Sequence, residues 1–348
     1  MDELVKLKEL NNILRESLPI YEISESYNFA YPEFAENCDV QIVNNHWTWK
    51  EILVEKDKQD FLVELTASER FATTFFLKIF TKYELIIGDD FWAGRVLKMF
   101  NRPEIKRKAI FNSHQELNIH APFYNELNKQ LGLTSDEFYE SYLLDKNLRE
   151  RIEFVNDCLN SPSDLIALAA FTFLECAVIY SSFAFFKHFQ MNGKNKLGNV
   201  VSGTDMSVLD ENNHSIDSSN LYKIIVNEAK ERGLLNEEVY KQLIVFKIYQ
   251  IVEVIKDHEF AIIDHALSQG EIEGITKHQM KQFVLLRLNE GLNKLGLESV
   301  YHVTDHTIYE WFKNTTELYT SNDTFAKKGR EYTNKLNKSE IYFREDII

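Results

Sequence analysis

Apolar residues recur along this chain at helical spacing, with polar residues filling the positions between them. TASE at 66–69 has the form of a capping box and leads an amphipathic run to about Gly88. A second run covers roughly 102–131. TSDE at 134–137 caps a short helix. SPSD at 161–164 places Ser161 at a cap and Pro162 at the first helical position. Further helices are expected from about 195 to 231 and from about 236 to 268. No segment alternates as a half-buried strand would, and no repeat of fixed period is visible. The pattern predicts one all-α domain over 1–320, then a polar, irregular tail over 321–348.

One run departs from this pattern. LIALAAFTFLECAVIYSSFAFF, at 165–186, is apolar on every face with a single charge, Glu175, near its middle. A lone membrane span with a central acid and no basic flank would be a poor one. A central buried helix of a bundle is therefore expected. A bare carboxylate in an apolar interior costs several kcal/mol, so Glu175 needs a partner.

Composition narrows the classes. The 348 residues are 44% hydrophobic and 13% aromatic, enough for a large core, while only 5 Pro and 12 Gly disfavour sandwiches and barrels. A net charge of −15 argues against a nucleic-acid partner, whose phosphates would be repelled. The three cysteines, Cys38, Cys158 and Cys176, form no close pair and suit a reducing cytoplasm. The first residues lack the apolar stretch of a signal peptide. A soluble, cytoplasmic protein is the expectation.

Four places along the helices carry candidate metal chemistry. They are Glu84, then Glu116 with His120, then Glu175, then Glu211 with His214. Two divalent cations need several anionic oxygens, with imidazoles to complete each shell. Glu and His three or four apart share a helix face. The order single, pair, single, pair is that of a ferritin-like bundle with a dinuclear carboxylate centre. Metal would then neutralise Glu175. The pairs Asp257–His258 and Asp264–His265 also share a face, but no acid cluster accompanies them, and they are expected to be solvated or structural.

These residues resemble the small, radical-generating subunit of class I ribonucleotide reductase. The resemblance runs from about Trp47 to Tyr332, and DENNHS at 210–215 is its most specific stretch. It implies a ferritin-like fold, a homodimer, and two metal ions per chain held by Glu84, Glu116 and His120 on one part and Glu175, Glu211 and His214 on the other. Iron is favoured, with manganese open. Two departures stand out. The family usually has Asp where Glu84 falls, with Asp89 and Asp90 as nearby rivals, and its first pair is usually E-x-x-H. Here that strict position is Leu117, and a local helix irregularity near Pro122 would have to absorb the extra residue.

The resemblance assigns the radical to Tyr124, shielded by Ile179 and Phe183. It assigns radical transfer to Trp47 (with Trp49 as competitor), Asp210 and Tyr332, and docking on a large subunit to the last residues. Reduction of ribonucleotides would take place on that large subunit. A stand-alone oxidase or iron-handling protein on the same fold is the alternative, since it needs the metal site but neither Trp47, Tyr332 nor the tail. A non-catalytic helical scaffold is a further rival.

Overall fold

A computed structural model describes residues 3–44 and 46–313. Among these residues there is no strand, only an isolated bridge between Ile272 and Ile275. The helices are α1 (Glu3–Ser17), α2 (Pro32–Asn44), α3 (Ala67–Leu85), α4 (Pro103–Gln115), α5 (Ala121–Gln130), α6 (Asp136–Leu144), α7 (Lys146–Leu159), α8 (Asp164–Phe173), α9 (Tyr180–Lys187), α10 (Gly198–Glu231), α11 (Phe246–Ala266) and α12 (Lys277–Lys294). Tyr332 and the expected tail over 321–348 lie outside the described residues.

Local chemistry accounts for most boundaries. Thr66 caps α3 by accepting from the Glu69 amide, and the Glu69 carboxylate accepts from the Thr66 amide in return. At 134–137 the cap is Ser135, whose hydroxyl accepts from the Phe138 amide at 3.2 Å. The expected cap at Ser161 is wrong by two residues. Ser163 caps α8, with Asp164 as its first residue, while Pro162 stays in the preceding turn. Asp164 then accepts from Arg15, Arg95 and Tyr21, which ties α1 and the 86–96 segment to the start of α8. Helix α12, absent from the sequence reading, has its own capping box at Thr276 and Gln279.

The apolar run forms α8, a short wider coil and α9 at the centre of the bundle. The span Asp164–Gln190 is long and apolar enough to cross a membrane, yet its most apolar window is 100% buried by the rest of the protein. It is a core helix, packed against α7, α10, α11 and α12.

Besides Asp60–Glu64, four segments among the described residues depart from the α period as π-helix. Ile86–Val96 after α3, Glu116–His120 between α4 and α5, Leu174–Val178 between α8 and α9, and Tyr240–Val245 before α11 are π-helical. Such coils hold one residue more per turn and cluster at functional sites. Gly88 lets two of them touch, since a Cβ there would lie 2.8 Å from Glu116 Cβ and 2.7 Å from Leu117 Cγ.

Candidate metal centre

The six residues expected as ligands meet in one buried cluster. Glu84 comes from the last turn of α3 and Glu116 and His120 from the 116–120 coil. Glu175 comes from the 174–178 coil, and Glu211 and His214 from α10. Glu84 is 1% exposed and the other five are fully buried. Asp89 and Asp90 are exposed and line a surface cleft with Arg95 and Lys98, so neither rivals Glu84.

The cluster divides into two overlapping groups. Glu84, Glu116, His120 and Glu211 form one, and Glu116, Glu175, Glu211 and His214 the other. Within each group, one potential ligand atom from every residue lies within 4.8 Å of all the rest. Glu116 and Glu211 belong to both, so the division expected from sequence is refined: each group keeps one private carboxylate and one imidazole, and shares two carboxylates. His120 Nδ1 lies 3.0 Å from Glu116, 3.1 Å from Glu211 and 3.5 Å from Glu84. His214 Nδ1 lies 2.7 Å from Glu116, 3.0 Å from Glu211 and 3.7 Å from Glu175.

The extra residue between Glu116 and His120 is accommodated by the coil expected of it. In the 116–120 segment, four residues make about one turn, so both side chains point inward. Leu117 turns away toward Gly88.

The electrostatics call for cations. Burial, then the Glu116 charge, holds the Glu84 carboxyl well above its usual range. Burial, then Glu211 and Glu116, does the same to Glu175. Burial would also raise Glu116, but His120 and His214 outweigh it and hold that carboxyl low. Burial opposes charge on His214, yet Glu116 and Glu211 bring its pKa to about 9. Both Glu175 oxygens and one Glu84 oxygen lack a hydrogen-bond partner among the described residues. Orphaned buried oxygens converging with two imidazoles fit metal coordination. Four carboxylates also match the charge of two divalent ions.

The outer nitrogens of the two imidazoles meet different partners. His120 Nε2 lies 3.1 Å from Asp210 Oδ2, which also accepts from Trp47 Nε1 at 2.8 Å. The buried Trp47 ring sits 5.9 Å from the His120 ring. Trp49 is only half-buried and has no such link to Asp210. His214 Nε2 faces the Gln115 amide oxygen at 3.2 Å, a partner that sequence reasoning missed. Its one signal is its place just before Glu116.

Tyr124 is 2% exposed, and its hydroxyl has no well-formed hydrogen bond among the described residues. Burial, then the Glu84 charge, keeps its phenol well above the usual range. Phe80 stacks on it at 4.1 Å between ring centres, and Phe183 stacks on Phe80 at 5.5 Å. Phe183 is thus linked to Tyr124 through Phe80, an intermediary the sequence reading did not include. Ile179 is buried in the turn after the 174–178 coil. The decoy histidines bind elsewhere: His265 lies 3.1 Å from Asp145 and packs on Phe75, and His258 packs on Phe154.

Fold and site together define a ferritin-like bundle with a place for two metal ions. The family model for the ribonucleotide reductase small chain matches residues 24–307, and the chain belongs to that family. It is a radical-generating small subunit of an oxidoreductase whose partner is a large subunit. The chain is 24% identical over 328 residues to the probable ribonucleoside-diphosphate reductase small subunit of Invertebrate iridescent virus 3, covering 87% of this chain and 82% of the viral one. It is 24% identical over 318 residues to the ribonucleoside-diphosphate reductase subunit beta of Halalkalibacterium halodurans, covering 88% and 86%. Among solved structures, the R2 subunit from Clostridium botulinum superimposes with a TM-score of 0.71 at 22% identity, over 82% of this chain and 88% of that one. The dimanganese(II)-NrdF of Streptococcus sanguinis gives 0.68 at 20% identity, over 83% and 97%.

Proposed function

We propose that Glu84, Glu116, His120, Glu175, Glu211 and His214 hold a dinuclear centre that oxidises Tyr124, and that the hole leaves through Asp210 and Trp47. The observation that carries this reading is the unbroken chain of contacts from the cluster through His120 and Asp210 to Trp47, built from residues on separate elements. A scaffold has no use for it, and neither has a stand-alone oxidase.

Iron is favoured and manganese is the alternative, since carboxylate and imidazole suit both. When loaded, the centre supplies the oxidising power. The protein's own residues do the rest. Glu116 and Glu211, which belong to both groups, would serve both ions, and Glu84 and Glu175 one each. Tyr124 would give up an electron to the loaded centre and its phenol proton to the carboxylate cluster, where Glu84 is the charge that most affects the phenol, and Phe80, stacked on the ring with Phe183 behind it, would shield the oxidised ring. Asp210 accepts from the Trp47 indole and faces His120, so charge moving between ring and imidazole can be matched by a proton shift along these two hydrogen bonds. Tyr332 and the 321–348 tail continue the route to the large subunit. The chain acts as a homodimer in the cytoplasm.

The test is reconstitution with the cognate large subunit and a ribonucleoside diphosphate. Trp47→Phe and Asp210→Asn are expected to retain two metal ions per chain while product formation falls by about a thousandfold or more, the scale of losing an essential group. Full turnover in both variants would rule out this route.

A further inference from the structure

The segment that carries Glu175 is not held by its own backbone alone. Ile179 sits in a turn between the 174–178 coil and α9, so the regular ladder is interrupted there. Carbonyls at such a break need other donors. Two of them receive guanidinium groups. Arg287 Nε on α12 donates to the Cys176 carbonyl at 2.6 Å. Arg151 on α7 donates through Nη2 to the Val178 carbonyl at 3.2 Å.

Both arginines are nearly buried, at 2% exposure for Arg151 and 9% for Arg287. A buried guanidinium is costly unless its donors are matched, and nothing about filling this core requires one. Each is itself anchored. Arg151 lies 3.0 Å from Glu259 and donates to the Tyr83 hydroxyl at 2.7 Å, one residue before Glu84. Arg287 lies 3.8 Å above the Tyr180 ring and pairs with Glu290. Gly291, one turn further on, brings α12 close, since a Cβ there would lie 2.9 Å from Cys176 Sγ.

We propose that Arg151 and Arg287 are positioning residues for Glu175: by holding the Val178 and Cys176 carbonyls they keep the 174–178 segment in its wide coil and set where the Glu175 carboxylate stands. An α-helix advances about 100° per residue, so relaxing the coil to the α period swings Glu175 off the site. Glu175 belongs to only one of the two groups, so the effect falls on one ion. This inference rests on the reading of Glu175 as a ligand.

The experiment is a Mn(II) titration of the full chain, read by equilibrium dialysis and by the paramagnetic resonance of coupled against isolated Mn(II). Wild type should take two ions and Glu175→Ala one; equal uptake by the two would sink the ligand reading itself. With that in place, Arg287→Met should weaken the second ion by about ten- to a hundredfold, leave the first unchanged and bring up the isolated-ion spectrum. Arg287→Lys keeps the charge and stem but loses the planar donor, and should fall in between. Arg151→Lys should act like Arg287→Lys. If Arg287→Met does not fold, the lysine variants decide. A folded arginine variant that binds both ions with wild-type affinity, or loses both equally, overturns the positioning role.

Discussion

Helix α10 and the α8–α9 run both cross the metal cluster, and they deliver their ligands in different ways. Helix α10 is 34 residues of unbroken α period, with Glu211 and His214 three apart on one face. The α8–α9 run is interrupted at 174–179, where Glu175 sits on a coil braced by side chains from other helices. A regular helix places ligands by sequence spacing alone. An interrupted one places them by tertiary contacts, and can absorb a change in spacing.

The comparison breaks most visibly under deletion. Removing Asn213 from α10 turns His214 by about 100° relative to Glu211 and should abolish binding of both ions, as read by metal analysis. Removing the exposed Asn118 from the 116–120 coil should convert it to one ordinary turn, keep both ions and leave the circular dichroism unchanged. Equal damage from the two deletions would erase the distinction. Next in size, Glu211→Ala should remove both ions, because that carboxylate is shared, whereas Glu175→Ala should remove one.

Phe80→Ala tests the stack over Tyr124. It should cost about 3–5 kcal/mol by denaturant titration, as expected for truncating a buried Phe, and should shorten the lifetime of any Tyr124 radical.

The smallest expected effect concerns the bracing itself. Burial pushes Glu259 up to about 7, against the pull of Arg151 and the Ser181 hydrogen bond. An unfolded Glu titrates near about 4.3, so the unfolded chain releases its proton first as pH rises. The stability contributed by Glu259 is thus full below about pH 4 and is lost as pH climbs to about 7. Glu259→Gln should remove on the order of 1–3 kcal/mol of that decline, measured as the difference in pH slope from wild type.

The same contrast explains what the sequence made legible. Glu211 and His214 could be read directly, because the α period converts spacing into a shared face. Glu175 was visible as a lone charge in an apolar run, and Glu84 as an acid at the end of another. The Glu116–His120 spacing looked irregular because a π coil has no residue signature of its own. Gln115, Phe80, Arg151 and Arg287 were missed for a related reason: each acts through a partner about 30 to 110 positions away. The cap at Ser163 was misplaced because Ser161 and Pro162 carry an equally good local signal.

The central claim is that this cluster, once loaded, oxidises Tyr124. The direct measurement is the electron paramagnetic resonance spectrum of the protein after loading with ferrous iron and exposure to air, beside Tyr124→Phe, with the pair repeated on manganese. A tyrosyl signal in the wild type that vanishes in Tyr124→Phe is the predicted result. Two bound ions per chain with no tyrosyl signal for either metal, or a signal that survives in Tyr124→Phe, would contradict it.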